Sequence, residues 1–238
     1  MDNEKGKLYL IPTTLGDCEP LEVLPLSIKK IIEELDCFIV ENEKTARKFI
    51  KQIAPRKSQP SLTILKLDKY ADQLEVKTYL DICSLGVSVG LLSEAGVPAI
   101  ADPGAEIVKL AHEKGIRVIP LVGPSSIILA MMASGFNGQN FTFNGYLPID
   151  TSERKVAIKN LERLSKEKNQ SQIFIETPYR NEKMMTDLKS VLTPTTKLCV
   201  ACDITLQSEY IRTLEIKDWK NENPNLHKRP TIFIIHKE

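Results

Sequence analysis

The chain has 238 residues, of which 42% are hydrophobic and 26% are charged, and its formal net charge is +1. This composition is typical of a soluble globular protein with enough chain to bury one large core or two small ones. The near-zero charge lacks the basic excess of a dedicated nucleic-acid binder, so composition neither implies nor excludes nucleic acid.

No apolar run approaches the roughly 18 residues that a membrane span needs. The mixed start, MDNEKGKLYLIP, is unlike a signal peptide. We therefore expect a soluble cytoplasmic protein.

The cysteines and histidines form no recognisable site in the sequence. Five cysteines are scattered at positions 18, 37, 83, 199 and 202, which predicts reduced thiols rather than a disulfide framework. Cys199 and Cys202 have no second pair at zinc spacing, and the three histidines are isolated. The sequence therefore predicts no metal site.

The first half of the chain alternates short apolar runs with amphipathic segments, which indicates strands and helices in turn. The predicted strands are KLYLI (Lys7 to Ile11), DCFIV (Asp36 to Val40), LTILKL, VSVGLL and IRVIPLV. The predicted helices are SIKKIIEEL, a segment around Ala46 to Ile53, a segment near Lys69 to Cys83, and one from about Pro103 to Lys114. Asp102 is predicted to cap the last of these, with Pro103 in its first turn.

The second half has a different rhythm. A short helix is predicted from Ser125 to Ala133, followed by a strand at FTFNGYL. Asp150 and Glu153 form a capping-box pattern that opens a helix to about Lys168. After the strand SQIFIE and another helix, the runs TKLCVAC, SEYIRTL and PTIFIIH are predicted strands with little helix between them. This arrangement indicates a partly antiparallel sheet.

These patterns predict an α/β protein of two domains, divided where the composition shifts near Gly123. The N-terminal domain, 1–121, has a mostly parallel sheet, and the C-terminal domain, 122–238, has a mixed sheet. Ligands of such parallel sheets bind beyond the carboxyl ends of the strands. The chain segments that leave the strands are therefore the places to search for a site.

Three strand exits carry helix breakers and small polar residues. They are Ile11 to Asp17, Ser93 to Ala101, and Leu121 to Ser126. The last exit places Ser125 and Ser126 at a helix N-terminus, where free N–H groups face a ligand. Each exit alone is compatible with a tight turn, but together they predict one shared ligand site. The G-x-G-x-x-G and G-x-x-x-x-G-K-[ST] patterns are absent, which argues against a Rossmann dehydrogenase or a P-loop NTPase.

Four segments carry a resemblance to a known family. In their order and spacing, these segments resemble the tetrapyrrole methylase superfamily, the class III S-adenosylmethionine-dependent methyltransferases. The segments are LYLIPTTLGD, LLSEAGVPAIADPGAEIVKLAHEKGIRVIPLVGPSSIILAMMASG, FNGYLP and IFIETPYR. Within it the chain is most similar to the branch that methylates ribosomal RNA. The resemblance implies two α/β domains of the tetrapyrrole methylase type with the methyl donor between them, and a homodimer.

The resemblance also implies the residues that bind S-adenosylmethionine. They are Pro12, Ser93, Glu94, Ala95, Gly96, Pro98, Ser125, Ser126, Glu176 and Thr177. The implied acceptor is the 2′-hydroxyl of a cytidine in the 16S rRNA of the small ribosomal subunit. Cationic side chains that could contact this RNA are Arg47, Lys48, Lys51, Arg56, Lys57, Arg154, Lys155, Lys159 and Arg163, although charged helix faces are commonly just solvated.

Some positions depart from the family pattern and keep other functions open. The family's Ser-Asp-Ala-Gly is here Ser93-Glu94-Ala95-Gly96, and its Glu-Asp-Thr-Arg is Glu41-Asn42-Glu43-Lys44. One alternative keeps the donor but uses a small-molecule or protein acceptor. Another is a catalytically inactive relative that binds the donor or a partner. A hydroxyl acceptor needs a base, and Glu41, Glu94 and Glu176 are candidates, but the sequence assigns none of them.

Overall fold

The computed structural model of the protein describes residues 4–68 and 70–238. The chain forms two compact units, Met1–Ser125 and Ser126–Glu238. Each unit contains one five-stranded sheet. The domain limits expected from the sequence, 1–121 and 122–238, stay predictions.

The first unit is built on a parallel sheet with the strand order β3-β2-β4-β1-β5. Its strands are β1 Leu8–Ile11, β2 Cys37–Val40, β3 Thr63–Lys66, β4 Val89–Leu92 and β5 Val118–Pro120. Its helices are α1 Pro20–Val23, α2 Leu26–Glu34, α3 Glu43–Ile53, α4 Gln73–Val76 and α5 Ala105–Glu113, with a 3₁₀ helix at Asp81–Leu85. The helix predicted near 69–83 is therefore two short segments, and Lys69 lies outside the described residues.

The core of the first unit lies on both faces of this sheet. Alternate residues of a strand point to opposite faces. Phe38 and Val40 accordingly join one cluster with α2 and α3, and Cys37 and Ile39 join another with α5. Strands β2 and β4 are buried along their whole length. This burial explains why both read as continuous apolar runs rather than alternating ones.

Helix α5 begins later than the sequence predicts. Its N-cap is Gly104, which has a φ of 128° and no side-chain cap, and the first helical residue is Ala105. The expected capping role of Asp102 is therefore wrong, as is the place of Pro103 in the first turn. The Asp102 carboxylate instead accepts a hydrogen bond from the backbone N–H of Glu94 at 3.3 Å. Asp102 thus stabilises the preceding loop rather than the helix.

The second unit has a mixed sheet with the strand order β6-β7-β10-β8-β9. Only β6 and β7 pair in parallel, and the other pairings are antiparallel. The strands are β6 Phe141–Tyr146, β7 Ser171–Ile175, β8 Lys197–Cys202, β9 Tyr210–Glu215 and β10 Thr231–His236. The helices are α6 Ser126–Ala133, α7 Thr151–Lys168, α8 Asn181–Val191 and α9 Ile216–Trp219. The mixed sheet expected from the sequence is confirmed.

A buried ion pair connects α7 and α8 within this unit. Asp150 caps α7 by accepting hydrogen bonds from the N–H groups of Ser152 and Glu153. One turn further on, Arg154 is 1% exposed, and its guanidinium lies 2.5 Å from the Asp187 carboxylate. Arg154 also donates to two backbone carbonyls just before the helix. The Arg154 guanidinium is therefore paired with groups inside the fold.

Candidate functional site

The three strand exits predicted from the sequence lie against one another in the first unit. The Thr13 N–H, after β1, donates to the Gly96 carbonyl at 2.9 Å, after β4. The exit of β5 packs equally closely, because a Cβ on Gly123 would lie 2.2 Å from Cγ of Pro12. The order β4-β1-β5 makes these strands neighbours, so their carboxyl ends meet at one edge. This convergence was expected from the residue types and is present in the structure.

Gly96 is a second point of close approach in this arrangement. Its φ is 77°, a left-handed conformation that side chains with a Cβ adopt at a cost. A Cβ there would lie 2.9 Å from Cδ2 of Leu15 and 3.1 Å from the Pro124 carbonyl oxygen. Glycine is therefore required both by the backbone angle and by the close approach of the other two exits.

Buried hydroxyls fix the shape of the loop after β4. Ser93 is 6% exposed, and its hydroxyl donates a short hydrogen bond to the Gly96 carbonyl. The Thr13 hydroxyl lies 3.3 Å from both the carbonyl and the hydroxyl oxygen of Ser93. Further along, Ala99 and Ala101 have φ values of 64° and 58°. Left-handed alanines cost about 1–2 kcal/mol each, and such strain is found where a loop is shaped for a ligand.

A cavity of about 410 Å³ opens beside this loop. Its walls come from the exit of β1, from helix α3 and from the start of the loop after β4. The lining residues are Thr13, Thr14, Leu15, Gly16, Asp17, Thr45, Ala46, Lys48, Phe49, Gln52, Ser93, Glu94 and Ala95. Cavities of about 300–1,000 Å³ with apolar walls and a few polar groups are typical small-molecule sites.

Carboxylates gather at the same edge of the sheet. The Glu94 carboxylate accepts from the Thr45 hydroxyl at 2.8 Å. Burial raises the pKa of Glu41, at the end of β2, and the carboxylates of Asp102, Glu94 and Asp68 raise it further. Burial also raises the pKa of Asp102, and the charge of Glu94 adds to this rise, while the hydrogen bond from the Glu94 N–H opposes it. This edge of the sheet therefore favours cationic ligands and protonated carboxyls.

The ten residues expected to bind the donor are divided between the two units. The first unit contains seven of them, Pro12, Ser93, Glu94, Ala95, Gly96, Pro98 and Ser125. The second unit contains Ser126, Glu176 and Thr177. Three of the first group line the cavity, whereas Pro12, Gly96 and Pro98 are buried and do not line it. Their binding roles stay predictions.

In the second unit, Glu176 follows β7 and is held by its neighbours. Its side chain is 1% exposed, and the carboxylate lies 2.6 Å from the Arg180 guanidinium. The same carboxylate oxygen accepts from the Thr177 N–H at 2.6 Å. Both contacts are made within the turn that follows β7, so the Glu176 carboxylate is engaged inside the fold.

Sequence reasoning did not place the α3 residues Thr45, Ala46, Phe49 and Gln52 at the site, and it missed the contact that Asp102 makes there. Thr45 orients Glu94 from α3, and Asp102 holds the Glu94 backbone. The signal for Thr45 was available, because the N-terminal turn of the helix after β2 lies at the same edge of the sheet as the other exits. The role of Asp102 was concealed by its good fit to a helix-capping pattern.

The structure also revises the set of cations expected to contact RNA. Arg154 is buried in its ion pair with Asp187. The Lys57 side chain is 8% exposed and lies 2.8 Å from the Asp36 carboxylate. Neither is placed to contact RNA, so both expectations are wrong. The sequence does not show that Arg154 and Lys57 are buried, because charged residues of amphipathic segments normally face water.

The sequence profile of the family described as Tetrapyrrole (Corrin/Porphyrin) Methylases matches residues 7–219. The chain belongs to this family. Membership confirms the resemblance seen in the sequence, the methyltransferase class and S-adenosylmethionine as the methyl donor. In the part of the chain that the structure describes, no three metal-ligating side chains come together and no helix could cross a membrane.

Individual relatives and solved structures agree with this assignment. A curated relative from Vibrio cholerae serotype O1, named ribosomal RNA small subunit methyltransferase I, is 27% identical over 232 residues. The alignment covers 96% of this chain and 76% of the relative. The crystal structure of the methyltransferase CobJ matches with a TM-score of 0.64 at 15% identity, over 98% of this chain and 94% of that one. A Thermus thermophilus uroporphyrin-III C-methyltransferase in complex with S-adenyl homocysteine matches with a TM-score of 0.56 at 15% identity, over 98% of both chains. These structures confirm the tetrapyrrole methylase fold.

Proposed function

We propose that this protein transfers a methyl group from S-adenosylmethionine to ribosomal RNA of the small subunit, at the 2′-hydroxyl of a cytidine in 16S rRNA. The observation that carries the choice of acceptor is the similarity to ribosomal RNA small subunit methyltransferase I over nearly the whole chain. With a net charge of only +1, binding to RNA would use local surfaces rather than the whole protein.

The cavity of the first unit fits one end of the donor. S-adenosylmethionine combines a flat adenosine with a positively charged sulfonium, which supplies an activated methyl group when the donor is bound. The apolar walls of Leu15, Ala46 and Phe49 suit the former, and the Glu94 carboxylate suits the latter. Ser93, Glu94 and Ala95 would line the donor, while Pro12, Gly96 and Pro98 would hold the loop in shape behind them.

The remaining predicted donor contacts follow the same logic. Ser125 and Ser126 stand at the start of α6, and a helix N-terminus can bind carboxylate or ribose oxygens. Thr177 follows β7, and its N–H is directed at Glu176. We assign these residues, with Glu176 as the group that fixes the Thr177 backbone, to donor binding.

We propose that Glu41, which directly follows β2 at this edge of the sheet, accepts the proton of a hydroxyl acceptor. Its raised pKa follows from burial and from three neighbouring carboxylates. A raised pKa makes a carboxylate a stronger base near neutral pH. Transfer to a 2′-oxygen then needs little more than orientation of the acceptor and removal of this one proton.

The segment Glu41-Asn42-Glu43-Lys44, which stands in place of the family's Glu-Asp-Thr-Arg, begins helix α3. Asn42 caps α3 by accepting hydrogen bonds from the N–H groups of Lys44 and Thr45. Asparagine and aspartate are equally good caps, and Lys44 keeps a positive charge where the family has arginine. This departure therefore does not argue against the family's acceptor.

Helix α3 supplies cations beside the cavity. Lys44, Lys48 and Lys51 are exposed at positions i, i+4 and i+7, which share one face of a helix. Lys48 lines the cavity and lies 3.4 Å from the exposed carboxylate of Asp17. A phosphate backbone that follows this face would be neutralised by lysines, so RNA binding should weaken steeply with salt.

We further propose a cytoplasmic homodimer. Cytoplasm is where a small-subunit rRNA acceptor is found.

Helix α6 exposes Ile128 and Met132, one turn apart, at 47% and 74%. A helix that is apolar all round is normally covered on every side, and a second copy would cover this face. Sedimentation equilibrium should give twice the chain mass, and a monomer at micromolar concentration would contradict the dimer.

The test of the acceptor is radiolabelled methyl transfer to small ribosomal subunits from cells that lack this gene. Donor binding is first established by calorimetry with S-adenosylmethionine. We expect label in 16S rRNA. Label in ribosomal protein or in small molecules would support a different acceptor, and a protein that fails to bind millimolar donor would be an inactive relative.

A further inference from the structure

Tyr179 is an exposed aromatic ring at a fixed turn of the second unit. It lies between β7 and α8, and 72% of its surface is exposed. The turn is closed by the Arg180 N–H, which donates to the Thr177 carbonyl at 2.9 Å. The Arg180 guanidinium is anchored on the buried Glu176 carboxylate. An aromatic ring held outward in this way leaves a large apolar face in water.

Two cationic or ionisable side chains of a neighbouring turn flank this ring. Lys228 Nζ lies 5.8 Å from the ring centroid, within cation–π range. The imidazole of His227 meets the ring edge-on, with centroids 6.3 Å apart and planes at 84°. Among the described residues neither side chain forms an ion pair with a carboxylate, so the ammonium of Lys228 is available to a ligand.

Buried hydrogen bonds hold the two turns together. The Lys228 N–H donates to the Pro178 carbonyl at 3.0 Å. The Asn181 side chain is 0% exposed, and its amide donates to the Arg229 carbonyl at 2.6 Å and to the Thr231 hydroxyl at 3.2 Å. The ring and its flanking side chains are thus preorganised. Preorganised groups lose little conformational entropy when a partner binds.

We propose that Tyr179, His227 and Lys228 form a platform for one unpaired base of RNA. The base would stack on the open face of the Tyr179 ring, and Lys228 and His227 would contact the adjoining phosphates. Sequence-tolerant binding of single-stranded RNA combines these two elements, an aromatic face and nearby cations. The inference rests on the proposed function for the choice of RNA, but its geometry belongs to the second unit alone.

An RNA base fits this platform better than a protein side chain does. A protein partner would be expected to meet an extended apolar surface with a charge-depleted centre. Here a single ring lies beside one lysine ammonium and one imidazole, and the tyrosine hydroxyl and lysine keep the surface wet.

The test compares Tyr179→Phe, Tyr179→Leu and Tyr179→Ala in the full-length protein. The probe is a fluorescein-labelled unstructured RNA 12-mer, and affinity is measured by anisotropy at low salt. Phenylalanine keeps the stacking face, so Y179F should bind within about twofold of the wild type. Y179A and Y179L should bind about 5- to 150-fold more weakly, which corresponds to about 1–3 kcal/mol per stacked base. Donor affinity and the circular dichroism spectrum should not change.

Lys228→Ala provides an independent check of the phosphate contact. Loss of one phosphate contact to a single strand should reduce the slope of log affinity against log salt by about 0.7. Wild-type affinity for the RNA in Y179A, or equal affinity in Y179L and Y179F, would overturn the stacking. An unchanged salt slope in K228A would overturn the phosphate contact. Altered self-association with unaltered RNA binding would make the ring a protein contact instead.

The outcomes also separate this inference from the proposed function. If the wild type methylates no 16S rRNA but its RNA affinity still depends on Tyr179, the acceptor is wrong and the platform stands. If 16S rRNA is methylated equally well by the wild type and by Y179A, with equal KM, the function stands and the platform fails.

Discussion

Substitution of Gly96 by alanine perturbs the point where the three strand exits meet. The φ of 77° costs an L-residue about 1–2 kcal/mol. The new Cβ would lie 2.9 Å from a Leu15 methyl and 3.1 Å from the Pro124 carbonyl. Leu15 can rotate but a backbone carbonyl cannot, and overpacking of this kind costs a further ~1–3 kcal/mol. The total penalty is therefore about 2–5 kcal/mol.

The loop can relieve this penalty only by moving away from its neighbours. If the donor binds the native loop, each 1.4 kcal/mol needed to restore that shape lowers donor affinity about tenfold. We expect Gly96→Ala to bind S-adenosylmethionine at least about 30-fold more weakly in calorimetry, the factor that corresponds to the lower limit of ~2 kcal/mol. Thermal unfolding followed by circular dichroism should show a lower midpoint with the native spectrum retained at 20 °C.

Gly135→Ala is the matched control for this experiment. Gly135 has a nearly identical φ of 75°, but a Cβ there meets no atom within 4 Å. It should lose only the ~1–2 kcal/mol of the backbone angle and keep full donor affinity. The reasoning is refuted if Gly96→Ala binds the donor within twofold of the wild type, or if both alanine variants lose the same affinity.

Three further predictions concern charged groups. The raised pKa of Glu41 means that the native state holds this proton more tightly than the unfolded state, so stability falls as pH rises from the ordinary value of 4.5 through the raised one. Glu41→Gln should make the free energy of unfolding, measured by urea titration, less dependent on pH between those two pKa values. The same variant should lose methyl transfer while its donor affinity stays unchanged. An unaltered pH dependence or wild-type activity would contradict the role of Glu41 as the base. Asp187→Ala leaves a buried guanidinium without its partner and should cost about 3–5 kcal/mol of unfolding free energy, measured by fluorescence of the single buried tryptophan; a loss below 1 kcal/mol would show that water replaces the carboxylate. Lys48→Ala and Lys51→Ala should each lower the salt slope of RNA binding, whereas Lys109→Ala, on α5, should not; equal slopes in all three variants would remove α3 from the RNA surface.

The fold was predictable because the two halves carry different periodicities. The fully apolar runs of β2 and β4 indicate strands buried on both faces, and the three late strands with little helix between them indicate antiparallel pairing. Asp150 was correctly identified as a cap because its pattern is local. Local patterns of this kind are decided by neighbours in sequence.

The details of the site were less predictable because they depend on contacts that are distant in sequence. Asp102 fits the capping pattern equally well, yet its carboxylate is used by the N–H of Glu94, eight residues earlier. Arg154 has the sequence context of a surface cation, and only the position of Asp187 on another helix shows that it is buried. The sequence did predict that Gly96 belongs to the ligand site. It did not predict that three loops come into contact at this residue.

The central claim is tested most directly by nucleoside mass spectrometry of 16S rRNA. Small subunits from cells that lack the gene are incubated with the purified protein and S-adenosylmethionine, and the digested rRNA is analysed for 2′-O-methylcytidine. The predicted result is one new 2′-O-methylcytidine per 16S rRNA with the wild type and none with Glu41→Gln. An unchanged nucleoside profile from a wild-type protein with demonstrated donor binding would contradict the proposed function.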